Sequence, residues 1–531
     1  MKFKIRQTTL IFIASLIFVL FYNFSFINNT LNYYHLNESF FFITSLGFFL
    51  FLLTNIVLSL FCLRKATKPV LITIFILASL AAYAMDSYGI IIDDSMIVNL
   101  FRTNKSEAFD LFSFKLGYYF FLLGILPSFL VFKTDIEYGT LKNELWQKTK
   151  TILISFLFIF VILFSFGKNY ATFFREHKPL RFYTNPVYFI FSTGKYIETT
   201  LTNSKKELIR IGLDAKSVST HRKLIIFVVG ETARGDRFSL NHYQKETNPY
   251  LSKEDVISFK KMTSCGTSTA ISVPCIFSKM GRSQFDNKKA STTENLLDIF
   301  SHTKKINLLW RDNNSNSQGV ADRVPYEDFK SEATNKICNP ECRDVGMLLG
   351  LDDFVKKNEN QKNDMFIVLH QMGNHGPQYS KRYPKEFEKF KPICETNELS
   401  KCTNEQINNS YDNAILYTDY FLSEVIKFLK KYSNEYDTAM IYVSDHGESL
   451  GENGVYLHGM PYFMAPYEQR HVASVFWFND SWKKKMYFNK LKEKENGEYN
   501  HDNIFHTFLG LMDVKTSEYR MELDILNDLK K

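Results

Sequence analysis

Leu224-Ile225-Ile226-Phe227-Val228-Val229 is an unbroken apolar run that ends on Gly230-Glu231, and Met440-Ile441-Tyr442-Val443 ends in the same way on Ser444-Asp445-His446-Gly447-Glu448. Two more runs share the form. Ile306–Trp310 is followed by Arg311-Asp312-Asn313-Asn314, and Met365–Leu369 by His370-Gln371-Met372-Gly373-Asn374-His375-Gly376-Pro377. Strands without polar alternation are those covered on both faces, so these runs predict a mostly parallel sheet between helical layers. One such helix is marked by the 3.6-residue stripe Tyr411, Ile415, Leu422, Val425 and Leu429. The fold class of residues 222–531 is therefore α/β, a doubly wound sheet. Sites in such sheets form beyond the carboxyl ends of the strands. Here those ends carry Glu, Asp, His and Asn in place of inert turn residues.

The chain upstream is of another kind. Of its 51 phenylalanines, 27 lie in the first 168 residues, which also hold long stretches without charge. Five candidate spans follow, at residues 9–26, 39–63, 69–85, 116–132 and 151–167, the last three with 17 uncharged residues each. An all-α, five-helix transmembrane domain is predicted over 1–167. Lys2, Lys4 and Arg6 precede the first span, Arg64, Lys65 and Lys68 follow the second, and Lys133, Lys142, Lys148 and Lys150 follow the fourth. The 27–38 loop has no Lys or Arg, while the longer 87–116 loop carries Arg102, Lys105 and Lys115 beside acidic residues. This asymmetry puts the N-terminus inside, and an odd number of spans then puts everything after Gly167 outside.

Cysteine usage agrees with export. Cys62 lies in the second span; the other six form three close pairs downstream, Cys265 with Cys275, Cys338 with Cys342, and Cys394 with Cys402. Local pairs in an extracytoplasmic domain read as disulfides. A net charge of +8 without a dense basic tract disfavours nucleic acid as a partner and allows a surface near anionic lipid. Residues 168–221 form a connector whose segment 179–197, rich in Phe and Tyr, suits the membrane surface.

Glu231, Asp445 and His446 offer the oxygen and nitrogen ligands that zinc accepts, and His375 and His458 lie in polar, glycine-rich loops that the same cleft can hold. Ser264-Cys265-Gly266-Thr267-Ser268-Thr269-Ala270 reads as a hydroxyl-rich loop entering a helix. Amides at a helix start favour anions, and a hydroxyl touching a metal can be held as alkoxide. Residue chemistry alone leaves Thr267, Ser268 and Thr269 equal as nucleophiles.

Gly230-Glu231-Thr232-Ala233-Arg234, the Cys265–Cys275 stretch, Trp310-Arg311-Asp312-Asn313-Asn314, Asn374-His375-Gly376-Pro377 and Asp445 through His458 resemble the lipid A phosphoethanolamine transferases, a family that includes the mobile colistin resistance enzymes. The resemblance covers the whole chain. It implies an alkaline-phosphatase/sulfatase-like catalytic domain facing the periplasm from a bacterial inner membrane. It implies Thr269 as nucleophile, Zn2+ held by Glu231, Thr269, Asp445 and His446, and a second ring of His375 and His458 serving substrate phosphate or a further zinc. Asn314 and Gln318 would join the substrate site, although some members carry lysine where this chain has Gln318. The implied reaction moves phosphoethanolamine from phosphatidylethanolamine to lipid A or a related glycolipid, with the chain acting as a monomer. A phosphoglycerol transferase of the lipoteichoic-acid-synthase type is the alternative enzyme; the paired cysteines and Asn313-Asn314 count against it. A non-catalytic membrane sensor is the other alternative, and the intact ligand set counts against that.

Overall fold

A computed structural model describes residues 4–102, 110–203, 207–339 and 341–529. Lys2 and Lys105 of the charge asymmetry, and residues 204–206 of the connector, lie outside them. The described chain divides into two compact units, one of Met1–Ile97 with Phe112–Glu198, the other of Val98–Leu111 with Thr199–Lys531.

The first unit is helical. α1 (Gln7–Phe21) and α2 (Phe24–Leu31) are bent by 49° to one another, where a single first span was expected. Asn23 sits at the bend, buried, and its side-chain amide bonds the Phe18 and Asn185 carbonyls at 2.9 and 2.6 Å. A side chain that satisfies freed carbonyls makes such a break tolerable away from water. α3 (Leu36–Phe61), α4 (Thr67–Tyr88), the helical stretch Phe114–Lys133 and α5 (Leu141–Ser165) follow. Among the described residues four helices are long and apolar enough to cross a membrane, or five if the bent pair counts as one span. The last three exceed the 17-residue windows read from sequence, because charged residues continue the helices beyond their apolar middles. α5, for example, begins with Lys142, Glu144, Lys148 and Lys150. Phe18 stacks on Phe75 at 4.4 Å inside the unit, whereas Phe41, Phe114 and Phe164 face outward, as lipid-facing side chains do.

The second unit is built on seven strands, β1 (Lys223–Gly230), β2 (Val256–Ser258), β3 (Ile306–Asp312), β4 (Tyr326–Asp328), β5 (Asp364–His370), β6 (Asp437–Ser444) and β7 (Ser474–Phe478). Their order is β2-β7-β6-β1-β5-β3-β4. The five from β6 to β4 are parallel, and β7 and β2 close one edge antiparallel. Every residue of β1, β5 and β6 is buried, which explains their lack of alternation. Helix α6 (Thr269–Ile276) starts in the hydroxyl-rich loop, and α7 (Asn404–Lys430) buries the whole predicted stripe from Tyr411 to Leu429.

Register brings the site together. Gly230 pairs with Ser444, so Glu231 and Asp445 leave adjacent strands at one level. Asp312 pairs with His370, which starts the Asn314 and His375 loops at the same edge. Val98–Leu111, expected to be a plain loop between spans, belongs to this second unit: Asp110 pairs with Arg382 and with Lys381 (2.8 Å).

Candidate active site

His446 is the hub. Its Nδ1–H donates to the Gly447 carbonyl (2.9 Å), which leaves Nε2 with its lone pair turned inward. Three oxygens each lie 3.4 Å from that nitrogen: Glu231 Oε1, Asp445 Oδ2 and Thr269 Oγ1. Glu231 Oε2 accepts from the Thr269 hydroxyl at 3.1 Å. Glu231, Asp445 and His446 are completely buried, and among the described residues Asp445 Oδ2 has no hydrogen-bond donor.

Two carboxylates sealed together without a cation are costly. A tetrahedral ion with ligand distances of about 2.0–2.1 Å has ligand–ligand edges of about 3.3–3.4 Å. The observed separations match such an edge, and the undonated Asp445 Oδ2 is the atom an ion would satisfy. The residues therefore fit a metal.

Electrostatics agree. Burial works against charge on Glu231, but the imidazoles of His446, His375 and His458 outweigh it and hold the carboxyl down at about 2. Asp445 is pushed up to about 7 by burial and by the Glu231 charge. His446 is raised, because Asp445 and Glu231 overcome the effect of burial.

The three hydroxyls left equal by sequence are separated by geometry. Thr267 Oγ1 donates to the Met460 carbonyl (2.5 Å), and Ser268 is the buried N-cap of α6. Thr269, the first residue of that helix, is partly exposed and its hydroxyl meets Glu231 and His446. Cys265–Cys275 closes the loop that carries it; Cys338–Cys342 and Cys394–Cys402 are also bonded.

His375 and His458 form an outer pair, ring centres 5.3 Å apart, with His458 4.2 Å from the His446 ring. His458 Nδ1 bonds Glu448 Oε2 at 2.7 Å, and Tyr379 OH donates to Glu448 Oε1 at 2.6 Å. Burial raises Glu448 to about 8, while burial and the neighbouring His446 lower His458 to about 3. Among the described residues His375 Nδ1 is buried without a partner. Its loop is held from behind. Arg382 Nε donates to the His375 carbonyl (2.6 Å), and Asp344 accepts from the Met372 and Gly373 amides (2.8 and 3.0 Å). A Cβ on Gly373, at φ +53°, would stand 2.7 Å from the Glu231 carbonyl oxygen, so glycine lets this loop pass against the strand end.

Asn314, expected in the substrate site, donates to Glu231 Oε2 (2.7 Å) and to the Gln371 carbonyl (2.9 Å), fixing the carboxylate. Gln318 donates to Ser315 Oγ (3.0 Å) and lines a cavity with Pro274, Glu294 and Arg323. The structure thus draws Glu231, Thr269, Asp445, His446, Asn314, His375 and His458 into one cleft and gives Gln318 different surroundings. Sequence reasoning missed Glu448, Tyr379, Asp344 and Arg382. Glu448 stood inside a quoted motif, and Tyr379 and Arg382 lie just beyond the quoted His375 motif, whereas Asp344 comes from a loop that no spacing connects to the site. Thr232 was also missed. It holds φ +58° beside Glu231, an uncommon conformation for a β-branched residue, and its hydroxyl bonds Glu231 Oε1.

Comparison with known proteins decides the lineage. Residues 223–514 match the sulfatase family model, and residues 50–201 match the one described as phosphoethanolamine transferase EptA/EptB. Phosphatidylethanolamine transferase Mcr-2 of Escherichia coli is 42% identical over 533 residues, covering 98% of this chain and 97% of its own. The chain belongs to the phosphoethanolamine transferase family. Mcr-1 of Escherichia coli is 47% identical over 428 residues, 78% of this chain and 79% of that one. The lipooligosaccharide phosphoethanolamine transferase A (EptA) structure from Neisseria meningitidis, an integral membrane protein, superposes with a TM-score of 0.94 at 32% identity over 100% of both chains. As a phosphoethanolamine transferase of this family the chain is an enzyme, and the helical unit and sulfatase-like unit are those of its relatives.

Proposed function

We propose that the chain transfers phosphoethanolamine from phosphatidylethanolamine to a phosphate of a lipid A-type glycolipid through a phospho-threonine at Thr269. The observation that carries this reading is the meeting of Thr269 Oγ1 with Glu231 and His446 at 3.1 and 3.4 Å, in a partly exposed position at a helix start. Glu231, Thr269, Asp445 and His446 would hold Zn2+, which supplies charge neutralisation and a lowered hydroxyl pKa when bound.

The chain's own residues account for the rest. Glu231 Oε2 takes the hydrogen bond of the Thr269 hydroxyl and so orients it, and the partly exposed hydroxyl gives its proton to solvent. Thr269 Oγ then forms a bond to phosphorus as the bond to the diacylglycerol oxygen breaks, and the amides at the start of α6 face the phosphoryl oxygens. Glu448, raised to about 8 and so protonated at neutral pH, donates to His458 Nδ1; His458 then carries its proton on Nε2 and passes it to the leaving oxygen as Nδ1 takes the proton of Glu448. In the second step an acceptor oxygen attacks the phospho-threonine, the Thr269 Oγ–phosphorus bond breaks, and His458 or His375 takes the acceptor's proton.

Residues 1–167 would form the membrane domain, 168–221 the connector and 222–531 the catalytic domain on the periplasmic side of the inner membrane, with the chain acting as a monomer. Three disulfides in the second unit favour an oxidising compartment. Mass spectrometry of lipid A from cells with and without the chain tests the reaction: an added phosphoethanolamine is expected. An unchanged lipid A, with the protein present in the membrane, would contradict the acceptor.

A further inference from the structure

The segment from His458 to Arg470 straps the nucleophile loop. Gly459 N donates to the Thr267 carbonyl (2.8 Å), Thr267 Oγ1 to the Met460 carbonyl, Tyr462 OH to the Ser264 carbonyl (2.9 Å), and Ser264 N to the Arg470 carbonyl (2.8 Å). Two arginines converge on this strap. The Arg282 guanidinium carbon lies 4.0 Å from the Tyr462 ring centre, and that of Arg470 lies 5.3 Å from it. The two cationic centres are therefore within about 9 Å of each other on one aromatic ring, a spacing at which the ring attracts both.

Neither guanidinium has a hydrogen-bond or ion-pair partner among the described residues. Asp502 accepts the Arg282 backbone N–H (2.8 Å) but makes no ion pair with its side chain, and Arg470 Nε is shut off from solvent with nothing to donate to. The other buried or stacked arginines of the second unit differ. Arg311 reaches Glu327 and the carbonyls of Met347 and Leu349; Arg237 reaches Asn408 and Tyr243; Arg382 reaches Asp110 and Glu341. Two like charges held together repel each other; Asp502 acts on Arg282 through space without forming an ion pair, and the pair of guanidiniums still favours an anion between them. Planar guanidinium forks match phosphate oxygens in particular.

We propose that Arg282 and Arg470, presented on Tyr462, bind a phosphate of the acceptor lipid separate from the group that receives phosphoethanolamine. This rests on the transfer reading above and extends it to how the acceptor is held. The strap joins this platform to the loop of Thr269, so an anion here would fix a second point on the same lipid while the first is attacked. A further phosphate on the acceptor and a bilayer phospholipid headgroup offer the same chemistry, and the test separates them.

The experiment uses the full chain in uncharged detergent micelles, with a lipid A acceptor bearing two phosphates and its counterpart bearing one. Phospho-threonine formation from the donor alone checks that R282Q/R470Q keeps an intact site. The double variant should raise KM for the two-phosphate acceptor at least tenfold, hold kcat within twofold, and lose most of the preference over the one-phosphate acceptor. R282K/R470K should recover part of it. An unchanged KM, or an equal rise for both acceptors, would overturn the proposal. Competition by phosphatidylglycerol in the unmodified chain but not in the variant, without a change in acceptor KM, would also overturn it and assign the platform to phospholipid. If the unmodified chain transfers to neither acceptor, the transfer reading has failed. Equilibrium binding of the two-phosphate lipid then decides on the platform alone: a tenfold weakening in the double variant supports it and equal binding refutes it.

Discussion

The inner group of Glu231, Asp445, His446 and Thr269 and the outer group of His375, His458 and Glu448 share one cleft, but they are fixed by different means. The inner side chains stand on strand ends and a helix start, and register sets their separations. The outer ones ride on loops, held by a buried arginine and a carboxylate–tyrosine pair. Strand ends of a buried sheet move little, whereas loops keep their place only while their anchors hold. Substitutions should therefore act abruptly in the inner group and by degrees in the outer one.

The largest effect is expected at Glu231. Glu231→Ala removes a charge from the metal cluster and the acceptor of the Thr269 hydrogen bond, so transfer should fall on the order of 10³-fold or more. Metal content of the purified variant, measured with its activity, should fall too. Full activity in a metal-depleted variant would remove the basis for distinguishing the two groups.

Arg382 tests the anchoring of the outer group. It is buried between Asp110, Glu341 and the His375 carbonyl. Arg382→Met leaves Glu341 without its cation and Asp110 with Lys381 alone, which should cost about 3–5 kcal/mol of stability. Displacement of the His375 loop should lower transfer roughly 10- to 100-fold. Thermal unfolding and steady-state rates measure the two together. Lost stability with unchanged turnover would show that His375 needs no such support.

These two substitutions also mark where sequence was informative. Apolar runs ending in Glu231 and in Asp445-His446 revealed both the sheet and its functional edge, because burial on two faces removes polar alternation and leaves chemistry at the strand ends. Glu231, Asp445 and His446 were legible for that reason. Thr269 was not separable from Thr267 and Ser268 by residue chemistry, since which hydroxyl points inward depends on where the α6 turn begins. Arg382 and Asp110 are 272 residues apart and carry no local pattern. The bend at Asn23 was equally hidden, because the apolar run continues through it and only a distant contact with Asn185 stabilises it.

A smaller effect is expected from Glu448. Burial raises its pKa from 4.5 to about 8, so its contribution to stability is complete below pH 4.5 and is lost as pH rises through about 8. In the metal-free protein, Glu448→Gln should match the unmodified chain near pH 4 and exceed it by a few kcal/mol above pH 8. Asp445 titrates in both proteins, so their difference isolates Glu448. Parallel stability curves across that range would show that Glu448 is not held neutral by the fold.

The smallest effect is expected from Gln318→Lys. Gln318 bonds Ser315 and lines a cavity with Glu294 and Arg323, so a lysine there should change turnover by less than about threefold. A gain comparable to the Glu231→Ala loss would place this position in the cleft with the inner group.

The central claim is that Thr269 carries the phosphoryl group. Incubating the full chain with phosphatidylethanolamine and no acceptor, followed by peptide mass spectrometry of the Cys265–Cys275 segment, tests it most directly. Phosphoethanolamine on Thr269, absent in Thr269→Ala and present at a reduced level on the serine of Thr269→Ser, is the expected result. The same group on Thr267 or Ser268, or transfer that persists in Thr269→Ala, would contradict it.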